Sequence, residues 1–133
     1  MQIAIESLDQ GARRARGTAV VIDVFRAFTT AGVAIAGGAE KIVMVRDPHE
    51  ALALREQGLG DAVMGEGGGL PVAVFEYGNS SYQLSRADVA GKTLMQRTSA
   101  GTQGVVAAAA VAERVFCGAL ERFRFRFVHI QRC

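Results

Sequence analysis

Two stretches of this chain carry the same kinds of functional group. The first holds Asp23, Arg26, Thr29 and Thr30; the second holds Arg97, Thr98, Ser99, Gly101 and Thr102. Each combines an arginine, hydroxyls and the start of a small-residue helix. Arginine's planar fork matches the oxygens of a phosphate. Helix N-termini attract anions through unpaired N–H groups and aligned peptide dipoles. Two further turns bring Glu66, and then Glu76 with Asn79 and Ser80. Carboxylates among phosphate-binding groups point to Mg²⁺, which takes a few carboxylates, waters and substrate phosphate oxygens. The sum is a site for a phosphate ester and a hard metal. Plainer roles compete at each position. Asp23 also suits a helix cap or a partner for Arg26, and Arg97 a surface residue. Thr29, Thr30 and Thr102 suit caps, and Glu76 and Asn79 suit turns. Joint placement is what favours chemistry.

Other chemistries lack their residues. The histidines are His49, at the start of a surface helix, and His129, near the C-terminus, so no Ser/His/Asp arrangement is built. The run Gly65–Gly69 has neither the lysine of a P-loop nor the spacing of a dinucleotide fingerprint.

These groups need elements to hold them. Val20–Val24 is an apolar run broken by Asp23, and it reads as a strand, starting at Thr18, buried on both faces. A small-residue helix follows and ends at Gly37-Gly38. Lys41–Val45 is a second strand. Asp47, Pro48 and Glu50 then open a helix as N-cap, N1 and N3, and Gly58 stops it. Ala62–Met64, Val72–Tyr77, Thr93–Gln96 and Arg114–Cys117 read as strands, and Val105–Ala112 as a helix. Ile3 and Ile5 give a weaker edge-strand signal. Strands alternating with helices predict an α/β fold, a three-layer αβα arrangement with a mostly parallel sheet. In such a sheet the two functional turns open on one rim.

Composition sets the class. The chain has 133 residues, half of them hydrophobic, which suits one modest domain. A net charge of +2 is too mild to argue for nucleic acid. Arg13, Arg14 and Arg16 read as a solvated basic face, with an anion patch as the alternative. Two cysteines, Cys117 in an apolar run and Cys133 at the end, make no metal-ligand spacing and no disulfide framework. No signal peptide or membrane span is readable, so the cytoplasm is the default. Residues 1–120 read as the α/β domain and 121–133 as an atypical tail. There Glu121 to Phe127 alternates Arg and Phe, as a nucleic-acid or membrane β-ribbon or as a truncated or frame-shifted end.

The motifs from Val21-Ile22-Asp23-Val24-Phe25-Arg26-Ala27-Phe28-Thr29-Thr30 through Gly65-Glu66, Phe75-Glu76-Tyr77-Gly78-Asn79-Ser80 and Gly91-Lys92 to Thr98-Ser99-Ala100-Gly101-Thr102 resemble the 2-phosphosulfolactate phosphatase family. The resemblance covers about Val20 to Cys117. It implies a Mg²⁺-dependent phosphatase acting on 2-phospho-3-sulfolactate, a small-molecule phosphate ester, to give 3-sulfolactate in coenzyme M biosynthesis. It implies metal ligation by Asp23 with Glu66 or Glu76, and catalytic roles for Asp23, Arg26 and Arg97. Thr29, Thr30, Asn79, Ser80, Thr98, Ser99, Gly101 and Thr102 would then bind phosphate or sulfonate. Asp23 as a covalent nucleophile stays open, as does a homo-oligomer. Two departures stand out. Glu76 replaces the family's usual aspartate, and Thr98-Ser99-Ala100 replaces Thr-Thr-Asn. Family members are also longer. A phosphatase for another organic-acid phosphate, and an inactive fragment or anion-binding module, are the competing readings.

Overall fold

The computed structural model describes residues 1–119. The elements in chain order are α1 (Leu8–Ala12), β1 (Thr18–Ile22), α2 (Ala27–Ala36), β2 (Lys41–Met44), α3 (Pro48–Glu56), β3 (Ala62–Gly65), β4 (Tyr77–Gly78), α4 (Ser81–Ser85), β5 (Thr93–Arg97), α5 (Gly101–Ala109) and β6 (Arg114–Gly118). Strands β2, β5, β3 and β4 lie side by side in that order, and β1 pairs with β6. Every one of these pairings is parallel.

Side-chain alternation along the strands builds the layers. Ile42, Met44, Ala62, Met64 and Leu94 face Ala27, Phe28, Ala31 and Ala34 of α2, Leu84 of α4 and Val105 of α5. Val43, Val45, Val63 and Met95 face the other way, against Ala51 and Leu54 of α3 and against Phe75. A sheet covered on both sides needs apolar residues at successive positions, which is why these strands read as unbroken apolar runs. The result is the expected three-layer α/β arrangement. Burying Phe28 completely contributes roughly 1.5–3 kcal/mol.

Three local expectations change. First, β1 is not buried on both faces: Val20 is 59% and Ile22 72% exposed, while Val21 packs into the core. Its strand neighbour is β6, and α5 covers only the Val21 side. The strand also ends at Ile22, so Asp23 starts the turn. Second, Ile3 and Ile5 are exposed coil, with no strand among the described residues paired to them. Third, the strand expected over Val72–Tyr77 shrinks to Tyr77–Gly78. Upstream the backbone turns instead, with Phe75 N–H on Val72 O at 3.0 Å.

Other ends follow their capping chemistry. Asp47 accepts from His49 N–H at 2.6 Å and Pro48 occupies the first turn of α3. Helix α5 runs Gly101–Ala109 rather than Val105–Ala112, and Thr98 Oγ1 takes the Thr102 N–H of its first turn at 3.1 Å. Helix α4 is an addition, capped by Ser80 Oγ on Gln83 N–H at 3.2 Å. Arg13 and Arg14 pair with Asp9 and Glu6, in keeping with a solvated face. Among the described residues no helix is long and apolar enough to cross a membrane. The Arg/Phe alternation, His129, Cys133 and the 121–133 tail lie outside the described residues.

Candidate active site

Asp23 leaves β1 and caps the next helix. Its Oδ1 accepts from Ala27 N–H at 3.3 Å and its main-chain oxygen from Phe28 N–H at 3.3 Å. Its Oδ2 accepts no hydrogen bond from any described residue and lies beside α5. A β-carbon built on Gly101 would stand 2.7 Å from Oδ2 and 2.7 Å from Ala27 Cβ. The Asp23 turn and the first residue of α5 therefore meet, through the absence of a side chain at Gly101. Arg26 is exposed and makes no ion pair among the described residues.

The hydroxyls mostly serve their own turns. Thr29 Oγ1 donates to Val24 O at 2.7 Å. Thr30, fully buried, meets Ser81 Oγ at 3.3 Å and so ties α2 to α4. Thr98 and Thr102, both buried, cap each other: Thr98 N–H donates to Thr102 Oγ1 at 2.8 Å, and Thr102 N–H to Thr98 Oγ1 at 3.1 Å. Ser80 caps α4. Asn79 follows β4, with its Oδ1 buried and without a hydrogen-bond partner among the described residues.

Glu66 follows β3 and is 8% exposed. Its Oε1 accepts Ser99 N–H at 2.5 Å; its Oε2 accepts Gly69 N–H at 2.6 Å and Ser99 Oγ–H at 3.0 Å. It thus laces the glycine loop to the β5–α5 turn. Burial alone would push its carboxyl up. The donors from Ser99 and Gly69, with the Arg97 charge, outweigh that and hold it below its ordinary 4.5. Arg97 straps the same rim from inside. Its Nε donates to Arg46 O at 3.0 Å and its Nη1 to Glu66 O at 3.0 Å, joining the ends of β2, β3 and β5.

A pH prediction follows. A carboxyl depressed by folding adds stability above its unfolded value, and that stability is lost as pH falls through the folded one. At neutral pH the parent should exceed Glu66→Gln by about 1–3 kcal/mol, because Gln cannot accept from all three donors. The gap should close as pH falls below 4.5. Urea midpoints of both proteins across pH check this; a gap that stays constant into acid would reject it.

Glu76 sits elsewhere. Its Oε2 takes Val63 N–H at 2.7 Å, replacing a backbone acceptor beside β3, and its Oε1 pairs with Arg55 of α3. Burial pushes this carboxyl up, but the Val63 N–H and the Arg55 charge bring it below the ordinary 4.5. Glu76 is thus engaged with Val63 and Arg55, while Glu66 is engaged with Ser99 and the glycine loop. Among the described residues no group of three or more His, Cys, Asp and Glu is placed to hold a metal ion. Mg²⁺ commonly takes only one or two carboxylates beside waters and phosphate oxygens. Of these carboxylates Asp23 has an oxygen, Oδ2, without a donor among the described residues and so has one to offer a cation, whereas both oxygens of Glu66 and of Glu76 already accept donors.

Two further residues belong to the site. Gln103 Nε2 donates to Arg46 O at 3.0 Å and to Thr98 O at 2.9 Å. Gln96, fully buried at the end of β5, donates from Nε2 to Ala27 O at 2.9 Å, while its Oε1 has no partner. A polar residue in an apolar strand was the signal available for Gln96, as it was for Asp23. Gln103 carried none.

The family model of 2-phosphosulpholactate phosphatase matches residues 4–125. A probable 2-phosphosulfolactate phosphatase of Deinococcus radiodurans is 39% identical over 77% of this chain and 42% of its own length. That of Bacillus subtilis is 39% identical over 67% of this chain and 38% of its own length. That of Thermus thermophilus is 37% identical over 76% of this chain and 42% of its own length. The chain thus spans about two-fifths of the relatives it matches. With the order of the motifs and the matched span agreeing, the chain belongs to the 2-phosphosulpholactate phosphatase family.

Proposed function

We propose that this chain hydrolyses a phosphate monoester of the 2-phosphosulfolactate type, giving 3-sulfolactate and phosphate, with Mg²⁺, as a step toward coenzyme M. The observation that carries this is Asp23 Oδ2, without a hydrogen bond from any described residue, beside the first residue of α5. A carboxylate next to helix-terminal N–H groups repels a bare anion. It suits an anion that arrives with a cation. Mg²⁺ would be held from this chain by Asp23 and would offset the phosphate's charge.

The other groups divide the work. Arg26, exposed and three residues after Asp23 in the same turn, would take a phosphate or sulfonate oxygen. The first N–H groups of α5, apart from that of Thr102, which Thr98 Oγ1 takes, offer fixed dipoles that need no reorganisation as charge develops. Arg97 and Glu66 hold the rim: Arg97 Nε and Nη1 donate to Arg46 O and Glu66 O, and both Glu66 carboxylate oxygens accept from Ser99 or Gly69. Thr98 and Thr102 set the direction of α5 rather than meet the substrate.

The test is turnover of 2-phosphosulfolactate with and without Mg²⁺, for the parent and Asp23→Asn. The parent should act and the variant should fall by roughly 10²–10³-fold. Equal rates in both would end this assignment. A second reading is an anion-binding module without turnover. It is favoured by the engagement of both oxygens of Glu66 and of Glu76 within the fold, which leaves Asp23 Oδ2 as the one oxygen of these three carboxylates without a donor among the described residues. Stabilisation by inorganic phosphate, with no hydrolysis at any Mg²⁺ concentration, would select it.

A further inference from the structure

We propose that Gln96 is the positioning residue for Asp23, an inference that builds on the phosphate-ester reading. Gln96 is fully buried at the carboxyl end of β5. Its Nε2 donates to Ala27 O at 2.9 Å. The same Ala27 donates its N–H to Asp23 Oδ1 at 3.3 Å, and its Cβ stands against Gly101. One side chain thus pins the residue that both orients the carboxylate and borders the gap beside it. The next residue, Arg97, points to the other side and straps Arg46 O and Glu66 O. The last two residues of β5 therefore hold the two halves of the site in register.

Packing does not explain a glutamine here. Leu94, two residues earlier on the same face, is apolar and fully buried. Gln96 Oε1 is buried and accepts from nothing among the described residues. A methionine of similar volume would fill the space without an orphaned acceptor. What the glutamine adds is the donor to Ala27. A residue held for position should therefore be replaceable at no loss of stability but with a loss at the site.

The experiment is Gln96→Met in the full chain. The thermal midpoint should equal or exceed the parent's. Amide exchange should quicken by about tenfold or more at Ala27 and Phe28, with little change at Leu94. Turnover of 2-phosphosulfolactate should show kcat reduced by about tenfold or more with KM nearly unchanged. Gln96→Glu adds a pH readout. Its protonated carboxyl can donate to Ala27 O, so protection and kcat should recover toward acid and be lost as it ionises. Unchanged exchange at Ala27 in Gln96→Met, or unchanged kcat, would overturn the proposal. If Gln96→Met does not fold, absence of acid recovery in Gln96→Glu would overturn it. If the parent has no turnover, the phosphatase reading falls alone, and exchange at Ala27 still decides the clamp.

Discussion

Gly65→Ala is expected to destabilise this domain by about 4 kcal/mol or more. Gly65 closes β3 with φ at 137°, in the region that only glycine adopts easily. Its missing side chain is filled by backbone: a β-carbon there would lie 1.8 Å from Arg97 O and 2.8 Å from Arg97 C. Relief requires β3 and β5 to part where Gly65 pairs with Arg97 and where Glu66 N–H donates to Arg97 O at 2.9 Å. Parting them also strains the Arg97 strap to Arg46 O and Glu66 O. Domains of this size are stable by only about 5–15 kcal/mol, so such a loss removes much of the margin. Gly58→Ala is the control. It shares a positive φ, 74°, but a β-carbon there meets nothing within 4 Å. It should cost about 1 kcal/mol. Urea unfolding followed by circular dichroism compares the two. A difference below about 1 kcal/mol would mean the rim is more yielding than Gly65 implies.

The same rim marks what the sequence could and could not reveal. Local chemistry was legible. Asp47 and Pro48 start α3 where capping rules place them, and Lys41–Met44 and Thr93–Arg97 are strands because an apolar run covered on both faces has few other choices. The meeting of the Asp23 turn with the first residue of α5 was also legible, since parallel strands deliver their following turns to one rim. The partners of individual side chains were not. Glu66 meets Ser99, 33 residues on, and Glu76 meets Val63 and Arg55 on the α3 side. Such bonds depend on which strands become neighbours, and β5 lies between β2 and β3 only after long-range folding. The exposure of Val20 and Ile22 is not written in the run for a related reason. A β-branched run reports that a strand forms, but exposure depends on what packs over it. Gln103 shows a further gap: a side-chain amide aimed at the distant Arg46 carbonyl leaves no periodic trace.

Gly101→Ala should sharply reduce the site's function while leaving most of the fold. Two effects oppose each other. Alanine favours a helix by up to about 1 kcal/mol over glycine, and Gly101 opens α5. Against that, the new β-carbon would stand 2.7 Å from Ala27 Cβ, 2.7 Å from Asp23 Oδ2 and 3.2 Å from Phe28 Cε1. Ala27 Cβ is fixed to the first turn of α2, so it cannot swing away. Either α2 shifts from α5, or Asp23 turns out of its place beside α5. Overpacking of this kind costs about 1–3 kcal/mol, so the net change in stability should be a small loss. The site should lose more, because displacing a reacting group by about 1 Å can cost about 10²-fold in rate. Gly104→Ala, one turn later, is the comparison: its β-carbon would meet only Val21 Cγ1, at 3.1 Å, on a half-buried side chain. Phosphate-ester turnover and inorganic-phosphate affinity should both fall in Gly101→Ala and hold in Gly104→Ala. Parental values for both in Gly101→Ala would show that Asp23 and the start of α5 do not share an anion.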